Sequence, residues 1–223
     1  YYESCVKGID VKARRDKSRA YGGVVRAGKG ILVEEIAKDL VQIAWQELGE
    51  EPDRLSIGRV PVEIPLNDTY LARLMNRNPD VAQYIKEHIT EYTYSLKTDV
   101  HVYIDDRFVI GIECKAYTEN AMLKRILVDF TLLRQVYPDL KCVLIQLESQ
   151  LTGDYSQPSK GVIYGSRSTH TLLSYFDIDL TIITLLEGER QVNKPIHKHY
   201  KPLQVNNLKR AADTLKTLLK ESL

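Results

Sequence analysis

The chain has 223 residues, of which 43% are apolar and 27% charged, with a formal net charge of +1. Those are the proportions of an ordinary globular protein long enough to enclose a sizeable core, and the length predicts a single domain over 1–223. Near-zero net charge excludes any argument for nucleic acid or membrane from global charge, so only its distribution can carry one.

The chain opens on a tyrosine-led stretch and then a basic, glycine-punctuated segment, KARRDKSRAYGGVVRAGK (12–29). It places Lys12, Arg14, Arg15, Lys17, Arg19, Arg26 and Lys29 against one acid, Asp16, and reads as an irregular arm. Next, Leu32, Val33, Ile36, Leu40, Ile43 and Ala44 recur at helical spacing, with Gly49 as the stop. Residues 50–65 read as loop, with a short extended piece around Val60–Ile64. Asn67 is a cap for a short helix to Leu74, and Asn78–Pro79 opens a second helix running toward Ser95. Two strands follow, 98–105 and 107–117. An amphipathic helix spans 119–137, with Leu123, Ile126, Leu127, Phe130 and Leu133 on one stripe, and ends at Pro138. KCVLIQLES (141–149) has the continuous apolar character of a buried strand. A polar loop (150–160), a short strand at 161–165, a Ser/Thr-rich loop with a helix (165–176) and a strand at 179–186 lead to a closing helix, 205–222. This order implies an α/β domain of three layers, a central mixed sheet flanked by helices.

Cys5, Cys114 and Cys142 form no CxxC pair and are odd in number, which argues against a disulfide framework or a Cys-ligated zinc and for a reducing, cytoplasmic setting. No apolar run approaches the ~18 residues that a membrane span needs.

Chemistry concentrates in TDVHVYIDDRFVIGIECKAY, the two central strands. Side chains alternate along a strand, so Glu113 and Lys115 share a face. A three-residue turn would bring Asp99 opposite Glu113; a two-residue turn would place it opposite Ile112, on the wrong face. Convergence of Asp99, Glu113 and Lys115 therefore requires an odd loop or a bulge. Two close carboxylates repel, and a divalent ion with hard oxygen ligands, Mg²⁺, removes the conflict. A buried ion-pair cluster is the alternative reading of the same residues.

The pattern D-x(13)-E-x-K on a hairpin, followed by an amphipathic helix and a buried strand, resembles the PD-(D/E)xK nuclease superfamily, with type II restriction endonucleases closest in size. The matched core covers about 30–48 and 98–186. Thr98 stands where the motif name has Pro. The resemblance implies a restriction-endonuclease-like fold and Mg²⁺-dependent hydrolysis of double-stranded DNA at a short specific sequence, leaving 5′-phosphates. It implies metal ligation by Asp99, Glu113 and the Cys114 main-chain carbonyl, and water activation by Lys115. Glu34 matches the family habit of placing a Glu from the first helix near the metal. A palindromic site would demand a homodimer. DNA repair or recombination on the same core, and a non-catalytic DNA-binding module, are the rival readings.

Candidate DNA contacts are Arg14, Arg15, Lys17 and Arg19 of the basic segment, Lys124 beside Arg125 on the helix after the motif, and Arg167 and Ser168. Ser168 or Thr169 could equally cap the helix that follows. Gln146 reads as a satisfied polar residue at a sheet edge.

Overall fold

In the computed structural model, which describes residues 1–152 and 165–223, the basic segment 12–29 is irregular only at 16–20 and helical on either side. Helices α1 (Tyr2–Arg15) and α2 (Tyr21–Leu48) flank a short link. Glycine at 22, 23, 28 and 30 opposes helix on propensity, but packing overrides it. Val24 and Val25 bury against Ala13 of α1. Gly28 lets Ile9 approach so closely that a Cβ there would stand 3.0 Å from Ile9 Cγ1. The helix ends, as expected, at Gly49, whose φ of 74° is the left-handed conformation that glycine adopts freely. Its buried face includes Val33, Ala37, Leu40, Val41, Ala44 and Trp45, whereas Ile43 is exposed.

Residues 50–65 hold the expected extended piece, as β2 (Val62–Pro65), and are otherwise more ordered than a loop, with β1 (Leu55–Gly58) before it. Both are too short to show a period. Asn67 caps α3 (Asp68–Arg77), accepting from the Tyr70 N–H, and Asn78 caps α4 (Pro79–Glu87), accepting from the Val81 N–H. The expected run of helix to Ser95 stops early, because β3 (Thr93–Leu96) pairs antiparallel with β2. The remaining strands and α-helices among the described residues are β4 (Val100–Ile104), β5 (Arg107–Thr118), α5 (Asn120–Val136), β6 (Lys141–Ser149), α6 (Arg167–Leu173), β7 (Leu180–Thr184) and α7 (Val205–Glu221). The strand expected at 161–165 lies, apart from Gly165, outside the described residues.

Among the described residues, five strands form the main sheet in the order β1-β4-β5-β6-β7. β1, β4 and β5 pair antiparallel, and β5, β6 and β7 parallel, so the sheet is mixed. On one face α2 and α7 pack over Val100, Val102, Ile112, Cys114, Val143 and Ile145. On the other, Leu123, Ile126, Leu127, Phe130 and Leu133 of α5 pack over Phe108, Cys142 and Leu144. The result is the expected α/β arrangement of three layers. None of the described helices is long and apolar enough to cross a membrane.

Candidate active site

The β4–β5 hairpin turns through two residues only, since Ile104 pairs with Arg107. Asp105 and Asp106 take φ of 49° and 62° there, the positive pair that a tight hairpin turn of this length demands. Alone, that turn would aim Asp99 at Ile112. The register corrects it: Tyr103 pairs with Phe108 but Val102 pairs with Ile110, leaving Val109 without a partner. Val109 and Ile110 consequently both pack toward α2 and α7. Beyond the bulge Val100 pairs with Ile112, and Asp99 falls opposite Glu113. The bulge, not the loop, supplies the extra residue.

Lys115 is the hub of what results. Its Nζ donates to Asp99 Oδ2 at 2.9 Å, to the Cys114 carbonyl oxygen at 3.2 Å, and to Glu113 Oε2. The Cys114 N–H also donates to Asp99 Oδ2, at 2.8 Å. Burial pushes the Glu113 carboxyl up to about 7, with the nearby Asp99 charge adding to it and Lys115 opposing. Burial works against the Lys115 ammonium, but the charges of Glu113 and Asp99 outweigh it, so its pKa is raised. Buried Cys114 has its thiol pKa raised well above the ordinary value, leaving the main-chain oxygen as its available ligand atom.

Two carboxylates and a carbonyl thus converge on one ammonium. These are hard oxygen donors around a resident positive charge, a set that fits a hard divalent cation. Among the described residues no three His, Cys, Asp or Glu side chains group closely enough to hold an ion on their own. Glu34 of α2 is half-buried at the rim, and Glu35 is exposed. Burial and the charge of Asp99 raise the Glu34 carboxyl.

Several neighbours escaped sequence reasoning. Arg59, between β1 and β2, donates to Asp99 Oδ1 at 3.1 Å and lies 3.7 Å from Glu34; a lone arginine in a loop gives no signal. Asp129 of α5 adds negative charge near Glu113. Its spacing of one turn from Arg125, with which it pairs at 3.7 Å, was the available clue. His101 is fully buried, stacks on Phe108, and accepts the Thr98 N–H at Nε2, 3.1 Å, fixing the residue that precedes Asp99. Gln146 is not at an edge: β6 is an inner strand, and the side chain sits buried beside Lys115, donating to Thr184 Oγ1 at 3.1 Å.

The candidate DNA contacts are spread over several elements. Arg14 and Arg15 end α1, Lys17 and Arg19 lie in the link, Lys124 is in the first turns of α5, and Arg167 and Ser168 open α6; all are exposed. Arg14 pairs with Asp10 at 2.8 Å. The cap of α6 is Ser166, accepting from the Thr169 N–H, and neither Ser168 nor Thr169 fills that role.

A bulged hairpin carrying an acid, an acid–lysine couple and a mixed sheet between helical layers place the chain in the restriction-endonuclease-like class of PD-(D/E)xK nucleases. No protein-family model matches it. Over 214 residues it is 52% identical to the type II restriction enzyme DdeI of Desulfomicrobium norvegicum, a match covering 94% of this chain and 88% of that protein. The chain belongs to the type II restriction enzymes.

Proposed function

We propose that this protein hydrolyses phosphodiester bonds of double-stranded DNA at a short specific sequence, leaving 5′-phosphates, with Mg²⁺ as cofactor. The observation that carries the reading is the convergence of Asp99, Glu113 and the Cys114 carbonyl on Lys115 Nζ. Asp99, Glu113 and the Cys114 carbonyl hold the metal, with Glu34 as a further candidate ligand at the rim. When bound, the ion supplies Lewis acidity and lowers the pKa of water.

The chain's own groups do the rest. Lys115, kept protonated by its two carboxylates, orients the attacking water and offsets charge developing on the phosphate. The water oxygen bonds to phosphorus in line with the departing 3′ oxygen. The P–O3′ bond breaks; the attacking water gives up a proton to solvent and the 3′ oxygen takes one from it, giving a 3′-hydroxyl and a 5′-phosphate. Arg14, Arg15, Lys17, Arg19, Lys124, Arg167 and Ser168 contribute contacts along the DNA backbone. The whole chain acts as one nuclease domain in the cytoplasm, and a palindromic target is met by a two-fold homodimer.

The test is incubation of phage DNA with the protein and Mg²⁺. Discrete fragments, abolished by EDTA, are expected. A smear would point to cleavage by DNA structure rather than sequence, and intact DNA would overturn the nuclease reading.

A further inference from the structure

Both oxygens of Asp99 are held by cations. Lys115 takes Oδ2, and Arg59 takes Oδ1 while its other nitrogen faces Glu34 Oε2. With Asp129 offset by its own partner Arg125, Glu34, Asp99 and Glu113 in ionised form set three negative charges against the two positive charges of Arg59 and Lys115. A divalent ion turns that surplus of one negative charge into one positive, which matches a single phosphodiester. Were Arg59 lost from the neighbourhood, the metal-loaded site would be neutral and the diester unmatched. Arg59 is also placed to move: its side chain is 44% exposed, it springs from a link between strands, and its Glu34 contact is longer than a hydrogen bond.

We propose that Arg59 is a placeholder cation. It holds Asp99 and Glu34 in the metal-free enzyme, yields them to the divalent ion because like charges repel, and turns outward to a DNA phosphate. This rests on the metal-site reading above.

The experiment measures Mn²⁺ binding without DNA, from the electron paramagnetic resonance of the free ion, for the wild type, Arg59→Gln and Asp99→Asn. Arg59→Gln should bind Mn²⁺ more tightly. A guanidinium that occupies the carboxylates nine-tenths of the time lowers apparent affinity about tenfold, and its removal restores that factor. Unchanged or weaker binding overturns the placeholder role. On DNA in Ca²⁺, the slope of log affinity against log salt should shrink by about one for Arg59→Gln, and an unchanged slope overturns the phosphate contact. Asp99→Asn separates the two layers of the argument. If it binds Mn²⁺ as tightly as the wild type, the metal-site reading itself fails. If it loses the ion while Arg59→Gln behaves as wild type, only the Arg59 proposal fails.

Discussion

Asp99 and Cys114 are joined across the open end of the hairpin: the Cys114 N–H donates to Asp99 Oδ2 at 2.8 Å. The carboxylate thus completes the β4–β5 ladder one step past its last main-chain pair, Val100 with Ile112. Beside this structural bond stands the metal-binding role proposed for Asp99, and two substitutions separate the two. Asp99→Ala orphans the Cys114 amide and should destabilise the fold by about 1–3 kcal/mol in urea titration. Asp99→Asn keeps an acceptor and should lose much less stability. Both should abolish DNA cleavage. Equal stability losses would show that the hydrogen bond is not what ties the strands.

Lys115→Ala should lower the cleavage rate by about 10²–10³-fold, the usual scale for removing one preorganised donor at a site of developing charge. Binding to a specific duplex in Ca²⁺ should persist. Gel shift beside single-turnover kinetics reads the two effects separately, and a variant that cuts normally would return the cluster to a structural ion pair.

The hairpin tip gives a prediction about stability alone. Asp106 is exposed with φ of 62°. Asp106→Val places a β-branched residue in the left-handed region and should cost about 1–2 kcal/mol. Asp106→Gly removes the strain and should melt at or above the wild-type temperature with cleavage intact. Asp105 is a poor site for the same experiment, since its carboxylate pairs with Arg54 at 2.7 Å.

His101 predicts a pH dependence. Burial, with the nearby Arg59 charge, lowers its pKa to about 4, and its Nε2 must stay unprotonated to accept the Thr98 N–H. The unfolded imidazole takes up a proton near pH 6.5, whereas the folded one resists until about 4. Proton uptake by the unfolded chain therefore draws stability down as pH falls through that window, by up to about 3 kcal/mol, with no further change from this group below it. Urea midpoints for the wild type and His101→Phe between pH 7 and 4 check this. The variant should lose this part of the slope, and parallel curves would refute the assignment.

What the sequence disclosed follows from how locally each feature is encoded. Helix α5 and strand β6 were legible because their apolar patterns are long and their ends carry Pro or polar stops. The facing of Glu113 and Lys115 follows from strand alternation, and the need for one extra residue to admit Asp99 follows from counting. Which residue would bulge was not legible, since Val109 differs from its neighbours in nothing but its missing partner. β1 and β3 were hidden because four residues cannot display a period and their partners are distant in the chain. Arg59 was hidden for a related reason: its meaning comes from Asp99 and Glu34, separated from it by 40 residues on one side and lying on another element on the other.

The close seat of Ile9 over Gly28 has a bearing on the contact with DNA proposed above for the basic residues near the chain's start. Strung on a loose tail, such cations would have to be arranged afresh at every encounter, forfeiting about 1–2 kcal/mol of backbone freedom for each residue stilled. Mounted on α1 and α2, which that seat clamps together, Arg14 and Arg15 keep their spacing before any ligand arrives. Their geometry becomes a ruler rather than a net, and widening the clamp by Gly28→Ala would loosen the ruler without touching a single charge.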